Sequence, residues 1–145
     1  MPFSATTLAL ALTVAFSTST GTPPASQPVI PQPMPKVETI KERVEAYFAD
    51  APIMAAISSC ESHFRQFDTD GSVYRGAINN KDVGVMQINE HYHLDEAKAL
   101  GIDLYTLEGN LKFARHLYER EGTAPWSSSE YCWSQSAAAK SLALN

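Results

Sequence analysis

The sequence predicts a small, mainly helical α+β domain. Three observations carry that reading. Apolar residues recur at helical spacing across residues 37–48 and again across 53–64. A third periodic stretch opens on Thr106 and closes on Gly122, a helix start and a helix stop. Between them, residues 67–81 give up the helical period for turn chemistry.

The first helix follows from Val37, Ile40, Val44, Tyr47 and Phe48, which form one apolar stripe with Glu38, Lys41, Glu42 and Glu45 between them. Asp50 and Pro52 start a second helix, with Ile53, Ile57, Cys60 and Phe64 along one face. From Phe67 to Lys81, the Asp-Thr-Asp-Gly-Ser run, Gly76 and Asn79-Asn80 predict turns around short β-like pieces such as Ser72–Tyr74. Leu94–Leu100 is expected to be a short helix closed by Gly101. Leu107, Leu111, Ala114 and Tyr118 share one face of the helix that begins at Thr106. Ser134–Asn145 reads as an Ala-rich, helix-compatible and dispensable tail. Tyr47, Phe48 and Phe113 are assigned to the core.

Composition sets the domain organisation. The chain has 145 residues, enough for one core and not two. All 11 basic and 16 acidic residues lie between Lys36 and Asn145, whereas seven of the nine prolines precede Lys36. Residues 1–20 contain the apolar run Leu8–Phe16, too short for a bilayer span of about 20 residues and matching the core of an export signal. No basic residue precedes that run, so a disordered N-terminal tail is the competing reading. No Cys follows it, which argues against a lipid anchor. Residues 21–35 hold six prolines and read as an extended tether. The folded domain is therefore expected over 36–133, with a tail over 134–145. A net charge of −5 with no basic arm argues against a nucleic-acid partner.

The chemistry concentrates in Cys60-Glu61-Ser62-His63-Phe64 and Asp82-Val83-Gly84-Val85-Met86-Gln87-Ile88-Asn89. Glu61 follows Ile57 by four residues, at the edge of the apolar face of its helix. A carboxyl held against Ile57 and Phe64 would be partly desolvated and biased toward its protonated form. Such a group suits general-acid cleavage of a glycosidic bond. A solvent-facing Glu on an amphipathic helix is the alternative.

Taken together, Glu61-Ser62 with Phe64, then Gly84-Val85-Met86-Gln87-Ile88-Asn89, then Asn110, Ala114 and Tyr118, resemble the transglycosylase SLT domain family of the lysozyme-like superfamily. Trp126, Cys132 and Trp133 are similar to the C-terminal end of resuscitation-promoting-factor domains. The resemblance covers about residues 50–133. It implies a lysozyme-like fold and an exported enzyme that acts on peptidoglycan glycan strands without a metal or other cofactor. It further implies a monomer, with a cell-wall or secretion-apparatus partner as an open question.

Under the resemblance Glu61 is the single catalytic acid and base. It would protonate the glycosidic oxygen between N-acetylmuramic acid and N-acetylglucosamine, then take a proton from the muramic 6-hydroxyl as a 1,6-anhydro ring closes. Gln87 and Asn89 match cleft-lining amides, with turn-capping amides as the alternative. Ser62 and Tyr118 match positions beside the catalytic Glu, and Tyr118 reads equally as a core tyrosine. Asp82 also resembles the second carboxylate of animal lysozymes, which leaves a hydrolysing muramidase open; a turn-forming Asp is the bland reading. The chain departs from the larger family members in lacking an Ala-Tyr-Asn-Ala-Gly segment. Tyr92, Trp126 and Trp133 are candidates to stack on sugars or to pack in the core. A glycan-binding domain without catalysis is the reading from a different class. In the resuscitation-promoting-factor type, cysteines at the places of Cys60 and Cys132 pair. Such a bridge would close a loop of about 73 residues here and add about 4 kcal/mol, with two buried free thiols as the alternative.

Other motifs fail. Cys60 with His63 one turn away suggests a nucleophile, but such sites normally recruit a His distant in sequence and an orienting group, and Glu61 beside it disfavours a thiolate. His91-Tyr92-His93 offers two metal ligands at strand spacing but no further Cys or His set. Asp68-Thr69-Asp70-Gly71-Ser72 misplaces the Gly and the final acidic ligand of a calcium loop.

Overall fold

The computed structural model describes residues 36–143. The expected export segment and Pro-rich tether lie outside the described residues. Within them the domain is mainly helical α+β, in the order α1 (Ile40–Tyr47), α2 (Pro52–Ser62), β1 (Asp82–Val83), β2 (Ile88–Asn89), α3 (Glu90–Ala99), α4 (Leu107–Glu121), a 3₁₀ segment (Ala124–Ser129), α5 (Glu130–Trp133) and α6 (Ala137–Leu142). The strands pair antiparallel, Asp82 opposite Asn89 and Val83 opposite Ile88. None of the helices among the described residues is long and apolar enough to cross a membrane.

Local chemistry sets the helix ends. Thr39 and Glu42 form a reciprocal capping box at the start of α1. Pro52 occupies the first turn of α2, where its missing N–H costs nothing. Thr106 caps α4 through the Gly109 amide, and Gly122 ends it at φ +62°. α3 begins at Glu90, four residues before the predicted start, because the Asn89 side chain caps it through the His91 amide at 3.1 Å. His91, Tyr92 and His93 therefore lie on the first turn of a helix, not on a strand. At 100° per residue the two histidines point in divergent directions.

α2 is the central element, packed against α1, the 3₁₀ segment, α5 and α6. Val44, Phe48, Met54, Ile57, Val83, Val85, Met86, Leu104, Phe113 and Leu117 close the core around it. Two predicted core positions differ. Val37 precedes α1 and is 88% exposed, and Tyr47 lies at its end with 38% exposure, beside the Arg115 guanidinium. The 67–81 segment forms only isolated bridges, Phe67 with Val73 and Arg75 with Val83, so Ser72–Tyr74 is not a strand. The tail contains α6, capped by Ser136, and its Ala139 packs on the core.

α2 stops abruptly. His63 and Phe64 both take left-handed backbone conformations, φ 53° and 60°, immediately after Glu61 and Ser62. The only other non-glycine residue of this kind among the described residues is Gln87, φ 49°. Each such residue costs of order 1–3 kcal/mol and persists only where surrounding structure holds it. His63→Gly relieves one without removing a core contact, since His63 is exposed. The expected result is a gain of about 1 kcal/mol and a thermal midpoint raised by several degrees. A lowered midpoint in thermal unfolding would contradict this account of the helix end.

Candidate active site

An open cleft of about 370 Å³ runs between the last turn of α2, the β1–β2 hairpin, α3 and the 3₁₀ segment. Glu61, Asp82, Gln87, Asn89, Tyr92 and Trp126 all line it. Of the catalytic and substrate-binding candidates read from the sequence, these six are brought together.

The hairpin wall is built from buried polar side chains. Between β1 and β2 the chain turns through Gly84–Gln87, which leaves backbone amides and carbonyls facing the core. Gln66 Oε1 accepts from the Val85 amide at 2.8 Å, and Asn110 Oδ1 accepts from the Met86 amide at 2.9 Å. The Asn110 side-chain amide donates to the Val83 and Leu104 carbonyls at 2.9 and 3.0 Å. Ser62 donates to the Val85 carbonyl at 2.8 Å, and the Trp126 indole donates to the Met86 carbonyl at 2.9 Å. Gly84 is required on two counts. Its φ is +72°, and a Cβ there would meet Asn110 Nδ2 at 2.5 Å and Gln66 Oε1 at 2.7 Å.

This assigns Ser62 a different place from the expected one. It is fully buried beneath the hairpin and does not line the cleft. Tyr118 is also elsewhere: it borders a separate depression with Pro52, Ile53 and Ala138. Trp126 is 3% exposed and Trp133 8%, so each serves mainly as packing, with Trp126 presenting an edge to the cleft. Tyr92, at 75% exposure, is the aromatic free to meet a ligand face.

The polar wall is positioned from behind. Glu90 accepts both Arg75 guanidinium nitrogens at 2.9 and 3.2 Å and the Tyr105 hydroxyl at 3.0 Å, which holds the 75–81 loop against α3. Asp82 Oδ1 accepts from Asn89 at 2.7 Å and Asn79 at 3.2 Å. Asn89 is thus the cap of α3 and a brace for Asp82, and it lines the cleft as well. Gln87 donates to the Gly84 carbonyl at 2.8 Å and keeps its Oε1 toward Gly76.

Glu61 faces this wall from α2. Burial pushes its carboxyl above the ordinary glutamic-acid range. The Ser129 hydroxyl, 2.6 Å from Oε1, pulls it part of the way back, and the negative charge of Asp82 adds a further upward push. His93 also lines the cleft, and burial lowers its pKa, which favours the neutral ring. The Cys60–Cys132 disulfide, with Cα atoms 6.0 Å apart, ties the residue before Glu61 to α5. Among the described residues no three His, Cys, Asp or Glu gather as a metal site.

Ser129 and Gln66 were not singled out from the sequence. Ser129 lies 68 positions from Glu61, and Gln66 lies 19 from Val85, with no local pattern to connect them.

Two outcomes follow. Asn110→Ala removes three buried hydrogen bonds to backbone groups, from the Met86 amide and to the Val83 and Leu104 carbonyls, so denaturant unfolding is expected to show a loss of at least about 2 kcal/mol; a loss under about 1 kcal/mol would contradict the brace. Glu61→Gln should change stability with pH. Because folding raises the Glu61 pKa, its stabilising contribution is present at low pH and is lost as pH rises through the folded value. The Gln variant should therefore melt above the wild type at neutral pH, and the gap should close in acid; equal midpoints at neutral pH would rule out a buried, proton-favouring Glu61.

Comparison of the chain with protein-family models, with curated proteins and with solved structures finds no match in any of the three.

Proposed function

We propose that this protein cuts peptidoglycan glycan strands by lytic transglycosylation, with Glu61 as acid and then base. The observation that carries the reading is the Glu61 carboxyl, part-buried, biased toward its protonated form and open to a cleft of amides with an exposed tyrosine. A carboxyl biased toward its protonated form meets the need of general-acid cleavage of a glycosidic bond. The resemblance in Glu61-Ser62 and Gly84–Asn89 supplies the substrate class.

In this scheme Glu61 gives its proton to the oxygen linking N-acetylmuramic acid to N-acetylglucosamine, and the anomeric C–O bond breaks. Asp82, fixed by Asn79 and Asn89, places a negative charge near the positive charge that develops at the anomeric carbon. The 6-hydroxyl oxygen of the muramic residue then attacks that carbon while Glu61 takes its proton. The ring closes as a 1,6-anhydro product, no water is consumed, and Glu61 is again protonated. Gln87, Asn89 and Tyr92 suit the hydroxyl, acetamido and apolar faces of the sugars.

Hydrolysis is the second reading, favoured by one observation: Asp82 shares the cleft and its charge is felt at Glu61. Water would then replace the 6-hydroxyl, with Asp82 as second carboxylate. Either reaction implies an exported protein, and the Cys60–Cys132 bridge is compatible with an oxidising compartment. A monomer acting on glycan strands is the assembly proposed, with a cell-wall or secretion-apparatus partner to be sought.

Mass spectrometry of the soluble products from peptidoglycan tests the reading. Fragments ending in 1,6-anhydromuramic acid are expected, with Glu61→Gln slower by about 100-fold or more. Products heavier by one water, with a reducing end, would instead establish hydrolysis. Binding with no Glu61-dependent release would overturn the enzyme reading in favour of a glycan-binding domain.

A further inference from the structure

The Ser129 hydroxyl stands 2.6 Å from Glu61 Oε1 and 3.1 Å from the Trp126 carbonyl oxygen. It has one proton and cannot donate to both. The Trp126 carbonyl has a second donor, the Trp133 indole at 3.0 Å, so it stays paired whichever way the hydroxyl points. The arrangement therefore has two complete states. With Glu61 ionised, Ser129 donates to the carboxylate, a charge-assisted bond stronger than one to a carbonyl. With Glu61 protonated, the proton it delivers sits on Oε2, since Oε1 is engaged by the serine, and Ser129 goes on donating to Oε1 as to a carbonyl oxygen. Neither state requires a heavy atom to move.

We propose that Ser129 is a positioning residue that keeps its hydrogen bond to Oε1 as Glu61 changes protonation state, leaving Oε2 to give and take the proton at one aim in both halves of the reaction. The proposal rests on the acid/base role of Glu61 and adds to it the means of serving both roles without side-chain movement. Three fixtures hold Ser129 in register. Trp126 is anchored on the Met86 carbonyl at 2.9 Å, Trp133 is buried, and the disulfide joins the neighbour of Glu61 to Cys132, one helical turn beyond Ser129. The serine sits at the junction of the 3₁₀ segment and α5, so the C-terminal part of the domain completes a site otherwise built by α2 and the hairpin.

The test follows the Glu61 carboxyl directly by ¹³C NMR titration in the full chain, for the wild type, Ser129→Ala and Ser129→Thr, alongside the pH profile of glycan cleavage. Ser129→Ala removes the donor to the carboxylate while burial and Asp82 remain, so the Glu61 midpoint should rise. The alkaline limb of activity, where the acid loses its proton, should rise with it. The kcat should fall about 10- to 100-fold with little change in KM. Ser129→Thr, which keeps the hydroxyl, should restore the midpoint and most of the kcat. Identical Glu61 midpoints in the wild type and Ser129→Ala would overturn the proposal, as would a shifted midpoint that Ser129→Thr does not restore. A wild type that releases no glycan fragment would sink the glycan-cleaving reading, while the titration midpoints still decide whether Ser129 tracks Glu61.

Discussion

The turn from Val83 to Met86 must sit inside the protein, and its backbone polar groups must find partners there. Ser58, Ser62, Gln66 and Asn110 are the buried polar residues of the described chain, and all four lie against this turn. No buried side-chain nitrogen or oxygen among the described residues lacks a partner. Unpaired, each amide or carbonyl of the turn would cost about 1–3 kcal/mol. Together the pairings anchor the hairpin to α2, to the segment after it and to α4. Asp82, Gln87 and Asn89 flank the turn and owe their positions to it.

The second constraint acts on Glu61. α2 delivers it on its last turn and then ends in two left-handed residues, so the chain leaves at once and the carboxyl stays beside the cleft. Burial and Asp82 favour the neutral acid, whereas Ser129 favours the carboxylate. A carboxyl balanced between these influences suits both giving and taking a proton. The disulfide and the two tryptophans fix the segment that carries Ser129, so packing at the C-terminal side bears on the chemistry of a residue on α2.

The helical faces were legible because period and end signals agree. Thr106 and Gly122 bound α4 in the sequence and in the structure. The start of α3 was hidden because one side chain, Asn89, does two jobs and a cleft assignment concealed its cap. The cleft residues Glu61, Asp82, Gln87 and Asn89 were singled out by the resemblance of two motifs taken together, since spacing alone leaves Glu61 as readily a solvent-facing residue. Ser62 and Asn110 stand in the same motifs but hold backbone rather than face the cleft. Spacing cannot separate those roles, since the partners of Asn110 lie up to 27 positions away. Tyr118 fell on the correct helix and away from the cleft. Ser129 and Gln66 carried no signal at all, because their meaning comes only from what folding brings beside them.

The most direct test asks where a glycan sits. Glu61→Gln, labelled with ¹⁵N, would be titrated with a tetrasaccharide of alternating N-acetylglucosamine and N-acetylmuramic acid, and its amide shifts followed by NMR. The account predicts that the largest changes fall on Gln87, Asn89, Tyr92 and Ser128, around the cleft that Glu61 faces. Changes centred instead on a second groove, lined by Lys41 and Glu45 of α1 and by Ala55 and Ser59 of α2, or none at saturating glycan, would contradict it.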